Sequence, residues 1–89
     1  MRTVWKFPFP IARQIVVQMP AGAEMLHVAE QHGTPTIWAL VDPKAMMVNH
    51  YFVLSGTGAL VDESLNGEFI ATFFQGQFVW HLWRARGQP

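Results

Sequence analysis

The chain has no cysteine, so disulfides and thiolate metal sites are excluded, and an 89-residue domain must hold together by packing or by self-association. Charge is scarce as well. Basic and acidic residues together make up 13% of the chain, against about 25% in an ordinary globular domain, which leaves little solvating charge for a monomer's surface. Six basic residues balance six acidic ones, so there is no excess of positive charge to attract a phosphate backbone, and bulk DNA or RNA binding is not expected. No run reaches the ~18 apolar residues a membrane helix needs. The opening MRTVWKFPFPIARQ is too broken by proline and charge for a signal peptide, so the chain reads as soluble and intracellular. A helical hydrophobic period of useful length is missing too.

What is present is strand signal. Runs rich in Val, Ile, Phe, Trp and Thr recur between Gly, Pro and Asn at roughly ten-residue spacing. The spacing predicts strands over Thr3 to Phe7, Gln14 to Met19, Glu24 to Gln31, Thr36 to Val41, Met47 to Leu54, Glu68 to Phe74 and Gln77 to Arg84. Pro8 and Pro10 close the first and Pro20 the second, because proline cannot donate to a ladder. His32-Gly33-Thr34-Pro35 is the expected loop of a β-hairpin, and Gln75-Gly76 that of a closing one. Between them, Asp62 to Asn66 is expected as one helical turn capped by Asp62, followed by a tight Asn66-Gly67 turn. Gly87-Gln88-Pro89 is expected to fray. About seven short antiparallel strands imply a single all-β domain over residues 1–89, a sandwich or a partly closed barrel.

Alternation places Phe69, Ala71 and Phe73 on one face of the sixth strand and Ile70, Thr72 and Phe74 on the other. The last strand opposes Phe78, Trp80 and Leu82 to Val79, His81 and Trp83. Both faces are largely apolar, whereas a thin sandwich should keep one face per sheet polar. A second surface is therefore covered, either by another subunit or ligand or by a loop packed outside a central strand.

The most informative stretch for function is VNHYFVLSGTG, Val48 to Gly58, where a strand runs into Gly56-Thr57-Gly58. Glycines there allow close backbone approach, and consecutive amides with the Thr57 hydroxyl can cradle an anion. They can equally be a bulge or turn, and the spacing matches neither a Rossmann nor a P-loop fingerprint. His27, His32, His50 and His81 show no metal-ligand spacing, and histidines scattered over strands are commonly half-buried packing residues. Four tryptophans are a heavy load, mostly for the core, although Trp83 beside Arg84, and Trp38, are placed to stack a base. Arg13, Arg84 and Arg86 are the candidate phosphate partners. No carboxylate dyad, nucleophile elbow or cysteine nucleophile is evident, so no catalytic residue, metal or cofactor is assigned.

With VWKFPF near its start, then QMPAGAEMLHVAEQHGTPTIWALVDP, the GTG segment and GEFIATFFQGQFVWHLW, the chain resembles a family of small proteins of tailed phages and prophages. The likeness covers nearly the whole length. It implies a viral early or accessory protein acting in the host bacterial cytoplasm, and it carries no catalytic residues across. Small oligomeric phage proteins of this size include sponges that sequester nucleotide immune signals, such as cyclic ADP-ribose species or cyclic dinucleotides.

Three functions follow as expectations. The first is an anti-defence homo-oligomer that sequesters a small nucleotide, with Arg13, Arg84 and Gly56-Thr57-Gly58 on phosphate, Trp83 or Trp38 on the base, and His50 or His32 on ribose. The second is a non-enzymatic accessory protein that docks an exposed aromatic strand on a host or virion protein. The third is a metal-independent phosphodiesterase using cross-strand histidines such as His50 and His81.

Overall fold

A computed structural model describes residues 1–88. Seven antiparallel strands form in the expected order: β1 Thr3–Pro8, β2 Gln14–Pro20, β3 Glu24–Gln31, β4 Thr34–Val41, β5 Met47–Gly56, β6 Asn66–Gln75 and β7 Phe78–Ala85. They make two sheets, a three-stranded sheet A in the order β1-β4-β3 and a four-stranded sheet B in the order β2-β5-β7-β6. The expected all-β sandwich is therefore what forms. It does not close into a barrel. At the seam where the sheets meet, β3 and β6 lie alongside one another unpaired, Met25 and Leu26 close to Ile70 and Ala71.

The core is one side-chain layer thick, since the Cα envelope measures 40 × 31 × 16 Å and stacked sheets lie about 10 Å apart. Alternation supplies it. From sheet A, β4 turns in Ile37, Ala39 and Val41; from sheet B, β2 gives Ile15, Val17 and Met19, β5 gives Phe52 and Leu54, and β7 gives Leu82. Phe9 and Phe73 meet edge to face, with ring centres 5.8 Å apart.

The β3–β4 hairpin is tighter than the sequence suggests. Thr34 and Pro35 join β4, and the turn shrinks to His32-Gly33, both at positive φ (50° and 84°). That pair of left-handed residues is what a two-residue I′ turn requires. At β5 the strand continues through Gly56, opposite Trp80, so the Gly-Thr-Gly segment ends it two residues later than expected. The Asp62 turn forms. Leu65 and Asn66 N–H groups donate to the Asp62 carbonyl at 2.9 and 3.1 Å, and the Ser64 N–H donates to the Asp62 carboxylate at 3.0 Å.

Three expectations are corrected. Asn66-Gly67 is no tight turn but the start of β6, because Asn66 pairs with Ala85 and Gly67 lies against the β7 end. Phe69 does not share a face with Ala71 and Phe73. Register shifts between Asn66 and Phe69 and between Phe69 and Ala71 place Phe69 opposite Trp83, on the outer face with Thr72 and Phe74. Of the expected tail, Gly87 and Gln88 fold back, the Gln88 N–H donating to the Ala85 carbonyl at 3.3 Å, while Pro89 lies outside the described residues.

A Cβ at Gly67 would stand 3.0 Å from the Arg84 carbonyl oxygen and 3.3 Å from the Arg86 Cα, both backbone atoms that cannot swing aside. Gly67→Ala is expected to destabilise the fold by about 1–3 kcal/mol in urea denaturation, as overpacking does. An unchanged midpoint would show that the β6–β7 backbones separate freely there.

Candidate functional site

Strand β7 lies in the interior of sheet B, between β5 and β6, and its residues alternate between the core and the outer face. On the outer face stand Val79, His81 and Trp83, joined by Val53 and Ser55 from β5 and by Phe69, Thr72 and Phe74 from β6. β2 and β5 continue this face with Val16 and Tyr51. None of these side chains is charged. The two charged residues in the four strands, Glu68 and Arg84, line a groove at the β3–β6 seam instead.

Part of the outer face is covered by the chain itself. The segment 57–65 folds over the end of sheet B, where Leu65 lies against Val53, and Val53 is only 7% exposed although it points away from the core. So the covering loop foreseen as one alternative exists, over that part only. Beyond it Phe74 is 66%, Phe69 48% and Val16 55% exposed.

The polar groups around β7 on this face are paired with one another. From β7, His81 links β6 to the turn after β5, with Nε2 2.8 Å from Thr57 Oγ1 and Nδ1 2.9 Å from Thr72 Oγ1. In the neutral imidazole one nitrogen donates to a threonine oxygen and the other accepts from a threonine hydroxyl. The Trp83 indole N–H donates to Ser55 Oγ at 3.2 Å, and its ring meets Phe69 edge to face at 5.1 Å. Sequence reasoning missed this network. Its signal was the spacing of Ser55, Thr57, Thr72 and His81, polar positions that alternation puts on one face.

The nine residues expected at a ligand site do not converge within one protomer. Trp83 and Arg84 point to opposite faces: the Arg84 guanidinium lies 5.4 Å from the centre of the Phe52 ring, in a cation–π contact, so it does not join a base stacked on Trp83. Gly56 pairs with Trp80 and Phe52 with Arg84, four ladder steps apart, which separates the glycine segment from Arg84 by roughly 13 Å. The Thr57 N–H donates to the Val79 carbonyl at 3.2 Å and the Ala59 N–H to the Gly56 carbonyl at 3.1 Å. An anion at this turn would have to displace those bonds. Arg13 shares a cavity of about 150 Å³ with Gly56 and Asp62. Trp38 stands on the outer face of sheet A, its ring 5.9 Å from that of His27, and His32 occupies the exposed hairpin turn.

His50 and Arg84 do come together. His50, 4% exposed, points into the core from β5, its Nε2–H donating to the Pro20 carbonyl at 3.3 Å, while Nδ1 is buried without a partner. Burial holds its pKa below the ordinary 6.5, and the positive charge of Arg84 adds to this against the opposing pull of the Pro20 carbonyl. Arg84 has no carboxylate within 4 Å among the described residues, but Glu24 and Glu68 line the same shallow groove of about 350 Å³. His50 and His81 lie on opposite faces of sheet B, so this pair cannot flank one scissile bond within a protomer. At the Asp62 turn, the Ser64 hydroxyl at 2.6 Å and the Ser64 amide hold the Asp62 carboxyl below its usual range.

Because His50 titrates lower in the folded chain than in the unfolded one, acid adds a proton to the unfolded state first. Stability is complete above the unfolded value near 6.5 and is lost as pH falls below it towards the folded value. The urea midpoint is expected to fall between pH 7 and 5, a fall made shallower in His50→Leu. Parallel profiles for the two proteins would remove His50 as the cause.

Among the described residues no group of three or more His, Asp or Glu side chains is placed to hold a metal ion, and no helix is long and apolar enough to cross a membrane. No curated protein and no solved structure matches the chain. One family model does match, over residues 1–89, and its description is a domain of unknown function. With its whole length inside that match, the chain belongs to the DUF7352 family.

Proposed function

We propose that this chain is a non-enzymatic interaction protein that docks the outer face of sheet B on another protein. One observation carries the reading: a four-stranded sheet presents an aromatic face with no charged side chain, partly open to water. A charge-free face suits neither a phosphate backbone nor an anionic membrane surface, and it matches the charge-depleted centre of a protein interface. The paired polar groups support this. Burying a hydroxyl or imidazole without a hydrogen bond is costly, but both His81 ring nitrogens and the Trp83 indole N–H are already paired, with Thr57, Thr72 and Ser55. Each of those hydroxyls has at least one bond, so covering them costs less than covering bare groups. A viral accessory protein that acts on a bacterial host component, the role the phage resemblance implies, needs such a surface and no chemistry.

A second reading keeps the ligand small: a homo-oligomeric sponge that sequesters a cyclic ADP-ribose-type or cyclic dinucleotide signal of a host defence system. Arg84 favours it, as a guanidinium free of close carboxylates that stands over an aromatic ring beside the buried His50. Glu68 in the same groove opposes a phosphate there, as does Glu24, although Arg2 lies 3.7 Å from the Glu24 carboxylate and offsets it in part, so positive charge from a neighbouring subunit would strengthen this reading.

Phe74→Glu places a carboxylate on the docking face at a residue 66% exposed, where the fold does not depend on it. A host or virion protein that copurifies stoichiometrically with the wild type, and rebinds it when both are pure, is expected to be lost with this variant. An unchanged partner profile would overturn the docking face. For the sponge, native mass spectrometry with cyclic dinucleotides and ADP-ribose derivatives should show whole-number adducts of intact nucleotide, absent in Arg84→Gln. No bound mass across that panel would exclude the second reading, and a converted product would replace it with the phosphodiesterase.

A further inference from the structure

Two sheets have four free edges, and three of them are guarded. β1 carries Lys6 and ends at Pro8, while β3 and β6 face each other along the seam, each broken by a bulge. Charge, proline and bulges are the devices that keep edge strands from pairing with other chains. β2, reading Gln14-Ile15-Val16-Val17-Gln18-Met19-Pro20, has no charge and no proline before its last residue.

Ladder parity shows what this edge presents. The Leu54 N–H donates to the Arg13 carbonyl at 2.9 Å, so the hydrogen-bonded pairs of the β2–β5 ladder continue as Ile15–Phe52, Val17–His50 and Met19–Val48. Gln14, Val16 and Gln18 therefore turn their N–H and C=O groups away from β5, off the free edge. All three are exposed.

We propose that two copies of this chain pair β2 with β2, antiparallel about a twofold axis at Val16, and so join two sheets B into one continuous eight-stranded sheet. The strand is its own complement. In this register Val16 faces Val16 and Gln14 faces Gln18 of the other copy, and every outward N–H and C=O of the three residues is used. Any shift by two residues leaves some of them unpaired. The apposed glutamine amides can exchange hydrogen bonds, Ile15 and Val17 continue the buried layer across the join, and a net charge of zero puts no long-range repulsion between copies. The result sets two uncharged outer faces side by side on one sheet. The inference stands on the edge of β2 and not on what the outer face binds.

Sedimentation velocity on the full chain is expected to show a dimer. Gln14→Lys with Gln18→Lys sets lysine against lysine twice across the join and should give a folded monomer, with the near-ultraviolet tryptophan signal kept. Gln14→Lys with Gln18→Glu sets lysine against glutamate and should restore the dimer. The chain has no cysteine of its own, so Val16→Cys alone should form a disulfide dimer under mild oxidation, since Cα atoms of a hydrogen-bonded antiparallel pair lie about 5.5 Å apart. Phe74→Glu should leave that crosslink intact, which separates failure of the edge from failure of the docking face. A monomeric wild type, or two double variants with the same association state, would overturn the proposal.

Discussion

Everything in this molecule depends on one layer of side chains closing between two sheets. Ile37, Ala39 and Val41 of β4 meet the inner face of β2, β5 and β7, and these three with Met19 and Leu82 are wholly inaccessible to water. Burying one aliphatic side chain is worth about 1.5–3 kcal/mol, and with no disulfide or second layer the fold has no other reserve. Most of that layer comes from central strands: β4 lies in the interior of sheet A and β5 and β7 in the interior of sheet B, so their buried residues are held on both sides by backbone pairing, while Met19 is equally buried on the edge strand β2.

A single layer consumes only one side chain in two along each strand, and the rest must be solvated, covered or left bare. Sheet A solvates much of its outer face, where the Lys6 ammonium donates to the Gln31 side chain at 2.9 Å and His27 stands in the open. Sheet B solves the problem differently. Its β5–β6 connection folds back so that Leu65 shields Val53, the Arg86 N–H donating to the Leu65 carbonyl at 2.8 Å to pin the segment down. The loop leaves Phe74 and Phe69 uncovered. What remains bare is the aromatic end of the sheet, where the His81 bridge ties Thr57 and Thr72 together.

How much of this was legible follows from which rules act locally. Strand number, order and most boundaries come from alternation and from Gly and Pro punctuation, properties of neighbouring residues; they bound β3 at Glu24 and Gln31, where it forms. Alternation also gave the apolar double face of β7. It failed at Phe69, because the bulge between Phe69 and Ala71 shifts the phase by one residue, and a change of pairing register is not a property of neighbouring residues. The candidate site was less legible for the same reason. Trp83 and Arg84 are neighbours in sequence and so point to opposite faces, while His81, Thr57 and Thr72 are far apart in sequence and meet through register alone. Adjacency suggested a ligand pocket, and strand geometry undid it.

Scarcity of charge ties the two exposed features together. With six charges of each sign on the whole chain and none on the outer face of sheet B, partner choice cannot rest on complementary fields, which act at long range and weaken with salt. It must rest on contact: ring against ring on the face, and N–H against C=O along the edge of β2. Hydrogen-bond register discriminates sharply, because a one-residue slip turns every outward group of Gln14, Val16 and Gln18 out of line and swaps the two faces of the strand. A protein built this way is specific at short range and indifferent at long range. Its associations should therefore form slowly by the standards of charged partners and persist in salt, as expected where apolar area and backbone pairing do the holding.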